Sequence, residues 1–557
     1  MIKFINLFNI FIYTFFVFLF SGLPAFKLFQ TKDWLLSRVL ADYFHFRGRK
    51  YIFNKKDFLI IFSLLAYFIF PNIFFQIFYT FGFVFFLILG DFFSLFAFNP
   101  FNFLVFLLLF PLIFLRKRIL KTIKLTPKAF FLFFLFFLSN FLFIYLAYNS
   151  YDFNYTFVLY LFLLLSYTQL FIFSLVLSLF DLAVSPYPLY LREKLKNKLK
   201  NLSLKRVVVV GSYGKSTTKE FLNYLLAEKK TFSLPPRINH EYAILKYLLK
   251  NDLSSYDFLI LELGSYFLGN IKWIAKGISP DFVFITGITK QHYFLLGENI
   301  KNIIYGEGIE AIMEMKKGKV FVNTNHEYFE ILKEEIEKVI KNKEIKMVTY
   351  GKTGDYSYEI IFTDSEKTIF KLKHEVKEHL LETNLIFPPQ IENLLGAISF
   401  VLEEKILSLE EISEKIKTIK LPQGFIRQIN YKNLTIFDDS YNANIRGVLE
   451  GLKFLEKIVS EKKTVIFNGL LELGKETKNV YENLAKEFKK FDFILLTDKE
   501  EYKFFRKILK EKAILIKKQE DLDEFLKSLK EKSVIFILNR FPSHIKLNLE
   551  NEKNNLH

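Results

Sequence analysis

The chain has 557 residues, a formal net charge of +18 at pH 7 and no cysteine. It is longer than one ordinary domain, and the lack of cysteine excludes a disulfide framework, a thiolate zinc site and a cysteine nucleophile. The excess of Lys and Arg invites a nucleic-acid interpretation, but these residues cluster beside apolar segments, where the positive-inside bias of membrane proteins accounts for them. Because no aromatic-and-basic RNA-binding signature occurs, no nucleic-acid partner is expected.

The first third of the chain predicts an α-helical membrane region over residues 1–185. The stretches 4–20, 58–115, 129–147 and 157–179 are strongly apolar, and about 20 apolar residues suffice to cross a bilayer. The long second stretch fits either three spans or two spans with a re-entrant piece. A signal peptide is the alternative for the first stretch, but no clear cleavage site follows it and further apolar segments do.

Basic clusters set the expected orientation of these spans. Residues 50–56, 116–128 and 192–200 are basic, and such clusters favour the cytoplasmic side of a membrane. About five spans with the N-terminus outside satisfy that condition. The amphipathic stretch 27–56 is expected to lie along the cytoplasmic face of the lipid bilayer.

The composition changes after residue 186. Residues 186–204 are predicted to form a basic linker. From about residue 205 onward, charged and apolar residues alternate at the density of a soluble domain, and helix patterns alternate with strand patterns. This order is typical of an α/β protein with a parallel sheet.

The most informative stretch is VVVVGSYGKSTTKE, residues 207–220. Its valines predict a buried strand, and the glycine turn leads into an amphipathic helix. A strand, a tight turn and a helix N-terminus form a phosphate site, in which Lys215 would contact the β- and γ-phosphates and Ser216 a magnesium ion. The spacing is shorter than in the common phosphate loop because Val209 replaces its first glycine, so a loop without a ligand is the alternative. The residues expected to bind the nucleotide here are Gly211, Ser212, Tyr213, Gly214, Lys215, Ser216 and Thr217.

Two further strands predict a magnesium shell at the same sheet edge. The apolar run FLILELG carries Glu262, and the run FVFITGI, expected to end near Thr289, is followed by His292. Ligands of open α/β sheets lie at the carboxyl ends of strands. Either residue alone would more often be structural, but beside a phosphate loop a carboxylate and an imidazole suit a metal.

A third group of polar residues lies in LTIFDDSYNAN, which ends at Asn444. Paired acids and amides that follow a strand suit ribose hydroxyls, an amino group or a second magnesium ion. A helix is expected to begin at about Gly447. The run VIFNGLLELG repeats the pattern of a strand followed by a turn at residues 472–474.

The motifs GSYGKSTTKE, ELG, ITGITKQH, DDSYNAN and GLLELG occur in an order and spacing that resemble the Mur ligases. They are most similar to the MurF-type branch, which adds D-alanyl-D-alanine to a UDP-N-acetylmuramoyl tripeptide. The resemblance covers residues 205–542 and not the membrane region.

The resemblance implies two α/β domains with ATP at their junction. Residues 205–420 would form a central, P-loop-type ATP-binding domain, residues 421–545 a Rossmann-like C-terminal domain and residues 546–557 a tail. In such enzymes the γ-phosphate passes to a carboxylate, and an amine then attacks the acyl phosphate, which releases ADP and phosphate. Catalysis of this kind is mostly positioning and charge neutralisation.

The catalytic and metal-binding residues of the family fall on residues of this chain. By resemblance, Lys215 would stabilise the transferred phosphoryl group, Ser216 and Glu262 would hold one Mg²⁺ ion, and His292 would be a ligand of a second. Asn239 matches an asparagine of the loop over the muramoyl peptide.

The resemblance also indicates which residues bind the nucleotide and the incoming amine. Asn393, in IENLLGAISF, resembles the asparagine that reads adenine, and Arg427 resembles the arginine that links the last domain to the phosphates or ribose. Asp439 falls where the ribose-binding acid lies. Asn442 and Asn444 fall where the amine or the acyl phosphate is held.

Several family residues are absent. A lysine that is carbamylated in relatives, and so supplies a metal ligand, is replaced by Gly306 or Glu307 in NIIYGEGIEAI. Glu307 is the expected substitute because it carries a carboxylate directly. The glycine and histidine before Asn393 are also missing, and Tyr481 stands where a histidine follows ELG. These changes suggest a looser nucleotide pocket or a different substrate.

The departure at the N-terminus is larger, because apolar segments occupy the place of the uridine-binding domain. We therefore expect a membrane-anchored, ATP-dependent peptide ligase of peptidoglycan precursor synthesis in a prokaryotic plasma membrane. Its ligase domains would face the cytoplasm. Its partners would be a muramoyl-peptide acceptor, D-alanyl-D-alanine and the lipid bilayer, and other cell-wall precursor enzymes are compatible with this placement.

Three alternatives stay open at this point. The same chemistry could act on another acceptor or on a lipid-linked one. A nucleotide-driven membrane transporter or sensor is a different class, and the motif DDSYNAN separates the two because a ligase needs it and a motor does not. A catalytically inactive scaffold is disfavoured by the presence of Lys215, Ser216, Glu262 and His292.

Overall fold

The structure of the protein is a computed structural model. In it the chain divides into two compact units, Met1–Pro186 and Tyr187–His557. The second unit holds nearly all the residues that the structure describes. The described residues are 131, 134–135, 138, 186–235, 238, 241–290, 293, 295–364, 366–419, 426–439, 444–470, 473, 476–529, 532–539, 541–542, 545 and 547. The apolar segments predicted to span a membrane lie almost entirely outside these residues. Over the described part of the chain, no helix combines the length and the apolar character that crossing a membrane requires.

The residues predicted to be a basic linker contain a packed helix, α1 (Pro186–Lys200). Leu191, Leu195 and Leu199 recur every four residues, so they share one helix face, and all three are buried in the core of the following domain. The guanidinium of Arg192 lies 4.9 Å from the centre of the Trp273 ring. The helix is therefore part of the α/β domain.

A nine-stranded sheet organises the central domain, with strand order β2-β3-β1-β4-β5-β6-β7-β8-β9. The first seven strands along the chain pair in parallel, and β7, β8 and β9 form an antiparallel extension. The strands are β1 (Lys205–Val210), β2 (Thr231–Ser233), β3 (Phe258–Glu262), β4 (Phe282–Ile285), β5 (Lys317–Asn323), β6 (Glu344–Gly351), β7 (Tyr356–Thr363), β8 (Thr368–His374) and β9 (Lys377–Thr383).

Helices cover both faces of this sheet. Val208 and Val210 face one buried apolar cluster, and Val207 and Val209 face the other, as alternation along a strand requires. The helices are α2 (Lys215–Leu225), α3 (Glu241–Lys250), α4 (Asn270–Ile278), α5 (Ile300–Ile304), α6 (Glu310–Met313), α7 (Phe329–Ile340), α8 (Pro388–Glu403) and α9 (Leu409–Ile416). A π-helical turn, Tyr305–Ile309, joins α5 to α6.

A six-stranded sheet forms the C-terminal domain, with strand order β10-β11-β15-β12-β13-β14. Its strands are β10 (Arg427–Tyr431), β11 (Leu434–Asp439), β12 (Lys462–Phe467), β13 (Phe493–Leu496), β14 (Ala513–Leu515) and β15 (Ser533–Leu538). Its helices are α10 (Ile445–Lys457), α11 (Thr477–Phe488), α12 (Lys499–Leu509) and α13 (Gln519–Ser528). All pairs except β10–β11 are parallel. The strand that is last in sequence, β15, lies between β11 and β12.

Two element boundaries differ slightly from the sequence prediction. Strand β4 ends at Ile285 and not near Thr289, because the chain turns at Gly287, whose φ is +139°. Helix α10 begins at Ile445, before Gly447, because the side chain of Asn444 accepts a hydrogen bond from the Gly447 amide and so caps the helix.

Candidate active site

The phosphate loop joins β1 to α2 and requires glycine at two positions. Gly211 and Gly214 have φ values of +129° and +74°, a region that favours glycine. A Cβ at Gly214 would lie 2.5 Å from Oδ1 of Asn393. Helix α2 starts directly after Gly214, so the unpaired amides of its first turn and its dipole form an anion site.

The predicted catalytic lysine and the predicted metal pair meet at this loop. The hydroxyl of Ser216 lies 2.9 and 2.8 Å from the two carboxylate oxygens of Glu262, which ends β3. The ammonium group of Lys215 donates to the Gly211 carbonyl over 2.5 Å. The structure therefore brings together three of the predicted residues at the carboxyl ends of adjacent strands.

The donor set fits a magnesium ion that is shared with a nucleotide. A hydroxyl and a carboxylate are hard oxygen ligands, and Mg²⁺ is commonly held by one or two carboxylates together with substrate phosphates. Within the described residues, no group of three or more His, Asp or Glu side chains could hold a metal alone. Ser216 and Glu262 thus supply a part of a coordination shell and leave places for phosphate oxygens and water.

The carboxylate of Glu307 also lies at the phosphate loop. Glu307 is 2% exposed, and the hydroxyl of Ser212 donates a hydrogen bond to its Oε2 atom. The same hydroxyl accepts from the Thr289 amide over 2.9 Å. The π-helical turn at Tyr305–Ile309 places Glu307 there, and such turns are frequent at functional sites.

Glu310, one turn further on, has a different set of contacts. Its carboxylate accepts hydrogen bonds from the amides of Gly269 at 2.5 Å and of Lys272 at 3.0 Å. Burial raises the pKa of Glu310, while these amides act in the opposite direction. Glu310 therefore caps α4 and does not contact the phosphate loop, although it is buried as deeply as Glu307.

Asn393, predicted to read adenine, lies on α8 against the start of α2. It is 5% exposed, and the Thr218 hydroxyl lies 3.4 Å from its Oδ1 atom. The neighbouring Glu392 accepts a hydrogen bond from the Tyr358 hydroxyl over 3.2 Å.

Two predicted residues of the C-terminal domain lie at element ends, Asp439 at the end of β11 and Asn444 at the start of α10. Burial raises the pKa of Asp439 to about 7, and the neighbouring charge of Asp438 adds to the effect. The side chain of Asn444 accepts from the Gly447 amide over 2.9 Å. Asn444 therefore has a structural contact that does not depend on a substrate.

Sequence reasoning missed a polar contact between the two domains, the interdomain cluster of Tyr213, Glu392 and Arg446. Nη2 of Arg446 lies 2.8 and 2.6 Å from the two oxygens of Glu392. The guanidinium lies 4.9 Å from the centre of the Tyr213 ring, and Nη1 donates to the Tyr213 hydroxyl. Tyr213 and Arg446 are 233 residues apart in the chain, so no local pattern reveals the contact.

Comparison with known proteins relates the central domain to a known family. Residues 209–401 match the Mur ligase middle domain. The matched residues, about a third of the chain, include the phosphate loop, Glu262 and Asn393. The chain is 25% identical over 323 residues to a UDP-N-acetylmuramoyl-tripeptide--D-alanyl-D-alanine ligase of Borreliella burgdorferi, a match that covers 54% of this chain. It is 22% identical over 333 residues to the ligase of the same name from Rickettsia prowazekii. These matches span 64% and 72% of the two relatives, so the first is just under two thirds of that protein's length.

The fold of this chain is similar to that of solved MurF structures. The structure of MurF from Thermotoga maritima in complex with ADP aligns with a TM-score of 0.57 at 21% identity, over 63% of this chain and 80% of that one. MurF from Acinetobacter baumannii aligns with a TM-score of 0.55 at 20% identity, over 63% and 77%. The predicted α/β fold with two parallel-sheet domains is therefore confirmed for the described residues.

The roles of all the predicted site residues stay predictions, and for four of them the structure adds little or nothing. His292, Asn239 and Asn442 lie outside the described residues, and Arg427 is described only as the first residue of β10. The predicted membrane spans likewise stay predictions.

Proposed function

We propose that this Mur ligase is an ATP-dependent, ADP-forming peptide ligase that joins D-alanyl-D-alanine to a muramoyl tripeptide. Support comes first from the contact of Ser216 with Glu262 beside Lys215 at a glycine loop. The names of the relatives from Borreliella burgdorferi and Rickettsia prowazekii support the choice of substrates. The reaction class is phosphoryl transfer from ATP to a carboxylate, followed by attack of an amine and release of ADP and phosphate.

The residues of the loop serve this chemistry by position and charge. The amides at the start of α2 face the phosphate oxygens, and Lys215 adds a positive charge at the same helix end. Ser216 and Glu262 would hold a Mg²⁺ ion, which when bound neutralises charge on the phosphates. Asn393 and Asp439 would bind the adenosine from the central and the C-terminal domain respectively.

Glu307 replaces the carbamylated lysine of relatives in this proposal. Its carboxylate contacts Ser212 of the loop and is nearly inaccessible to solvent. A second metal ion held between Glu307 and His292 would need no bound carbon dioxide, because the glutamate carries its carboxylate permanently. Of the two candidate positions, Gly306 offers no ligand, whereas the carboxylate of Glu307 reaches the loop.

We place the enzyme at the cytoplasmic face of a prokaryotic plasma membrane. This part of the proposal rests on the apolar segments and the basic clusters of residues 1–200. A membrane anchor would hold the active site close to a lipid-linked precursor and raise its local concentration. The acceptor is therefore either a UDP-linked or a lipid-linked muramoyl peptide.

The experiment is phosphate release by the full chain, purified in detergent, with ATP and magnesium. UDP-muramoyl tripeptide or its lipid-linked form is offered, each with and without D-alanyl-D-alanine, and the peptide product is identified by mass. Lys215→Met should abolish release. Lys229→Met, at an exposed position beyond the end of the same helix, serves as the matched control and should keep it.

Each outcome separates the candidates. Release that requires both the UDP-linked acceptor and the dipeptide supports the proposed ligase. Release with the lipid-linked acceptor alone moves the reaction to the membrane surface. Release that needs neither substrate contradicts the ligase and favours a nucleotide-driven transporter or sensor.

A further inference from the structure

We propose that Arg446 is a positioning residue that couples the placement of the C-terminal domain to the phosphate loop. The inference deepens the proposed function and rests on it, since it concerns the geometry of the same site. Tyr213 lies in the phosphate loop and Glu392 in IENLLGAISF, but Arg446 belongs to none of the motifs that the sequence singled out.

The geometry of Arg446 is that of a fixed interdomain contact. Its two bonds to Glu392, at 2.8 and 2.6 Å, come from one nitrogen to both carboxylate oxygens. The side chains are 18% and 6% exposed. Both charged groups of such a pair lose most of their hydration, and removal of one partner leaves the other charge buried and unpaired. Glu392 is also held by the hydroxyl of Tyr358, so the acceptor of the pair is itself fixed in place.

Arg446 acts on the loop through Tyr213. This tyrosine lies between the two loop glycines, Gly211 and Gly214. Its ring packs against Gly287 so closely that a Cβ there would collide with it, and its carbonyl accepts from the Thr286 hydroxyl. The guanidinium of Arg446 covers the ring and donates to its hydroxyl. The side chain of a loop residue is thus held from the C-terminal domain.

Arg446 also bears on the position of the start of α10. It is in the first turn of α10, two residues after Asn444. If Arg446 is fixed to Glu392 and Tyr213, then the end of β11 and the start of α10 are held at a defined distance from the loop. The contact therefore links the adenine side of the site, beside Asn393, to the ribose side at Asp439.

The charge balance of the cluster is stable near neutral pH. Burial tends to lower the pKa of Arg446, but the neighbouring Tyr213 and Glu392 outweigh it, and the pKa lies above its ordinary value. Burial and the charge of Arg446 lower the pKa of the nearby His326 to about 3. Arg446 is thus charged, His326 is neutral, and Glu392 balances the guanidinium.

The contact predicts effects on nucleotide binding and on turnover. Loss of the Arg446 contact should weaken nucleotide binding by about 5- to 150-fold, the usual range for coupled sites. It should lower kcat more than it changes the KM for the acceptor peptide, because the contacts of Arg446 are with Tyr213 of the phosphate loop and with Glu392. A purely structural role would lower the amount of folded protein without this split between kcat and KM.

The direct test measures the distance between the domains. The chain has no cysteine, so cysteines introduced at the exposed positions Lys338 and Lys453 are the only attachment points for spin labels. In the full chain the distance distribution should be narrow, and Arg446→Ala or Glu392→Gln should broaden it. The exchanged pair, Arg446→Glu with Glu392→Arg, should narrow it again. Affinity for a fluorescent ATP analogue is measured on the same variants.

Glu476→Gln is the matched control. Glu476 makes a more exposed interdomain ion pair with Lys290, at 3.1 Å. Exposed ion pairs contribute little to stability. This variant should leave both the distance distribution and the nucleotide affinity as in the unchanged protein. Arg446→Lys, which keeps the charge but loses the planar fork, should give an intermediate result and serves if Arg446→Ala does not fold.

Unchanged distances and unchanged nucleotide affinity in Arg446→Ala, or in Arg446→Lys and Glu392→Gln if the alanine variant does not fold, would overturn the inference. An unchanged protein that binds nucleotide but turns over no acceptor would instead contradict the proposed function. In that case, the distance and affinity measurements still decide the role of Arg446.

Discussion

Replacement of Glu307 by Gln separates its proposed role as a metal ligand from its role in packing. The change keeps the size of the side chain and leaves an oxygen that can accept from Ser212, so the hydrogen bond becomes a neutral one. A charge-assisted bond contributes about 1 kcal/mol more than a neutral bond. We therefore expect the free energy of unfolding to fall by about 1 kcal/mol.

Turnover should fall much further than stability. An amide is a poor substitute for a carboxylate in a shell of hard oxygen ligands, so a metal that depends on Glu307 would no longer be held beside the loop. A loss of at least about 100-fold in kcat corresponds to about 2.7 kcal/mol of activation free energy. Phosphate release is measured at saturating ATP over a range of magnesium concentrations, and urea denaturation of the same preparation gives the stability.

Glu310→Gln is the matched control because it makes the same chemical change three residues away at similar burial, 4% against 2% exposed. Since Glu310 contacts the amides of α4 and not the loop, this variant should lose stability and keep its turnover per folded molecule. Full activity in Glu307→Gln, or an equal loss of activity in both variants, would refute the assignment of Glu307 as a metal ligand.

Three further predictions concern the loop, the C-terminal domain and α1. Gly214→Ala should reduce nucleotide affinity at least about 10-fold, because alanine is strained at a φ of +74° and its Cβ would lie 2.5 Å from Oδ1 of Asn393; titration with the ATP analogue measures this, and normal affinity would contradict it. Burial, with a contribution from Asp438, raises the pKa of Asp439 to about 7, whereas a carboxyl group in an unfolded chain titrates near about 4. The folded state therefore binds more protons between these pH values, so the free energy of unfolding should decrease as pH rises from about 4 to about 7 and should not recover above that range. Asp439→Asn should flatten this dependence in urea denaturation series, and an unchanged pH dependence would show that Asp439 is not the group responsible. Leu195→Ala should reduce the free energy of unfolding by about 2–5 kcal/mol, because Leu195 is fully buried between α1 and the central domain; a urea midpoint equal to that of the unchanged protein would argue that α1 is detached in solution.

Local patterns predict the parts of the site that lie close together in sequence. The valines before Gly211 and the amphipathic run after Ser216 indicate a strand, a turn and a helix because those residues satisfy the two periodicities directly. Glu262 follows from the same reasoning, since a carboxylate after a buried strand of a parallel sheet must lie at the ligand-binding edge. Family resemblance then supplies the roles that a pattern cannot give.

The contacts that local patterns cannot give depend on irregular geometry or on long separations. The position of Glu307 depends on a π-helical turn, and ordinary helical spacing leaves open whether Gly306 or Glu307 faces the loop. The pairing of Glu392 with Arg446 spans 54 residues and two domains. In contrast, α1 could have been found, because its leucines at 191, 195 and 199 follow the helical period; the many lysines around them suggested a linker.

The position of β15 has a consequence for biosynthesis. The strand in the middle of the C-terminal sheet is the last one made, and about 100 residues separate the end of β11 from the end of β15. At a synthesis rate of about 5–20 residues per second, β11 waits about 5–20 s for the strand that joins it to β12, and β12 waits somewhat less. During that time both expose unpaired edges, which are open to wrong pairing. A chain that stops before Ser533 lacks the strand between β11 and β12, so we expect it to keep the phosphate loop but to lose the folded domain that presents Asp439.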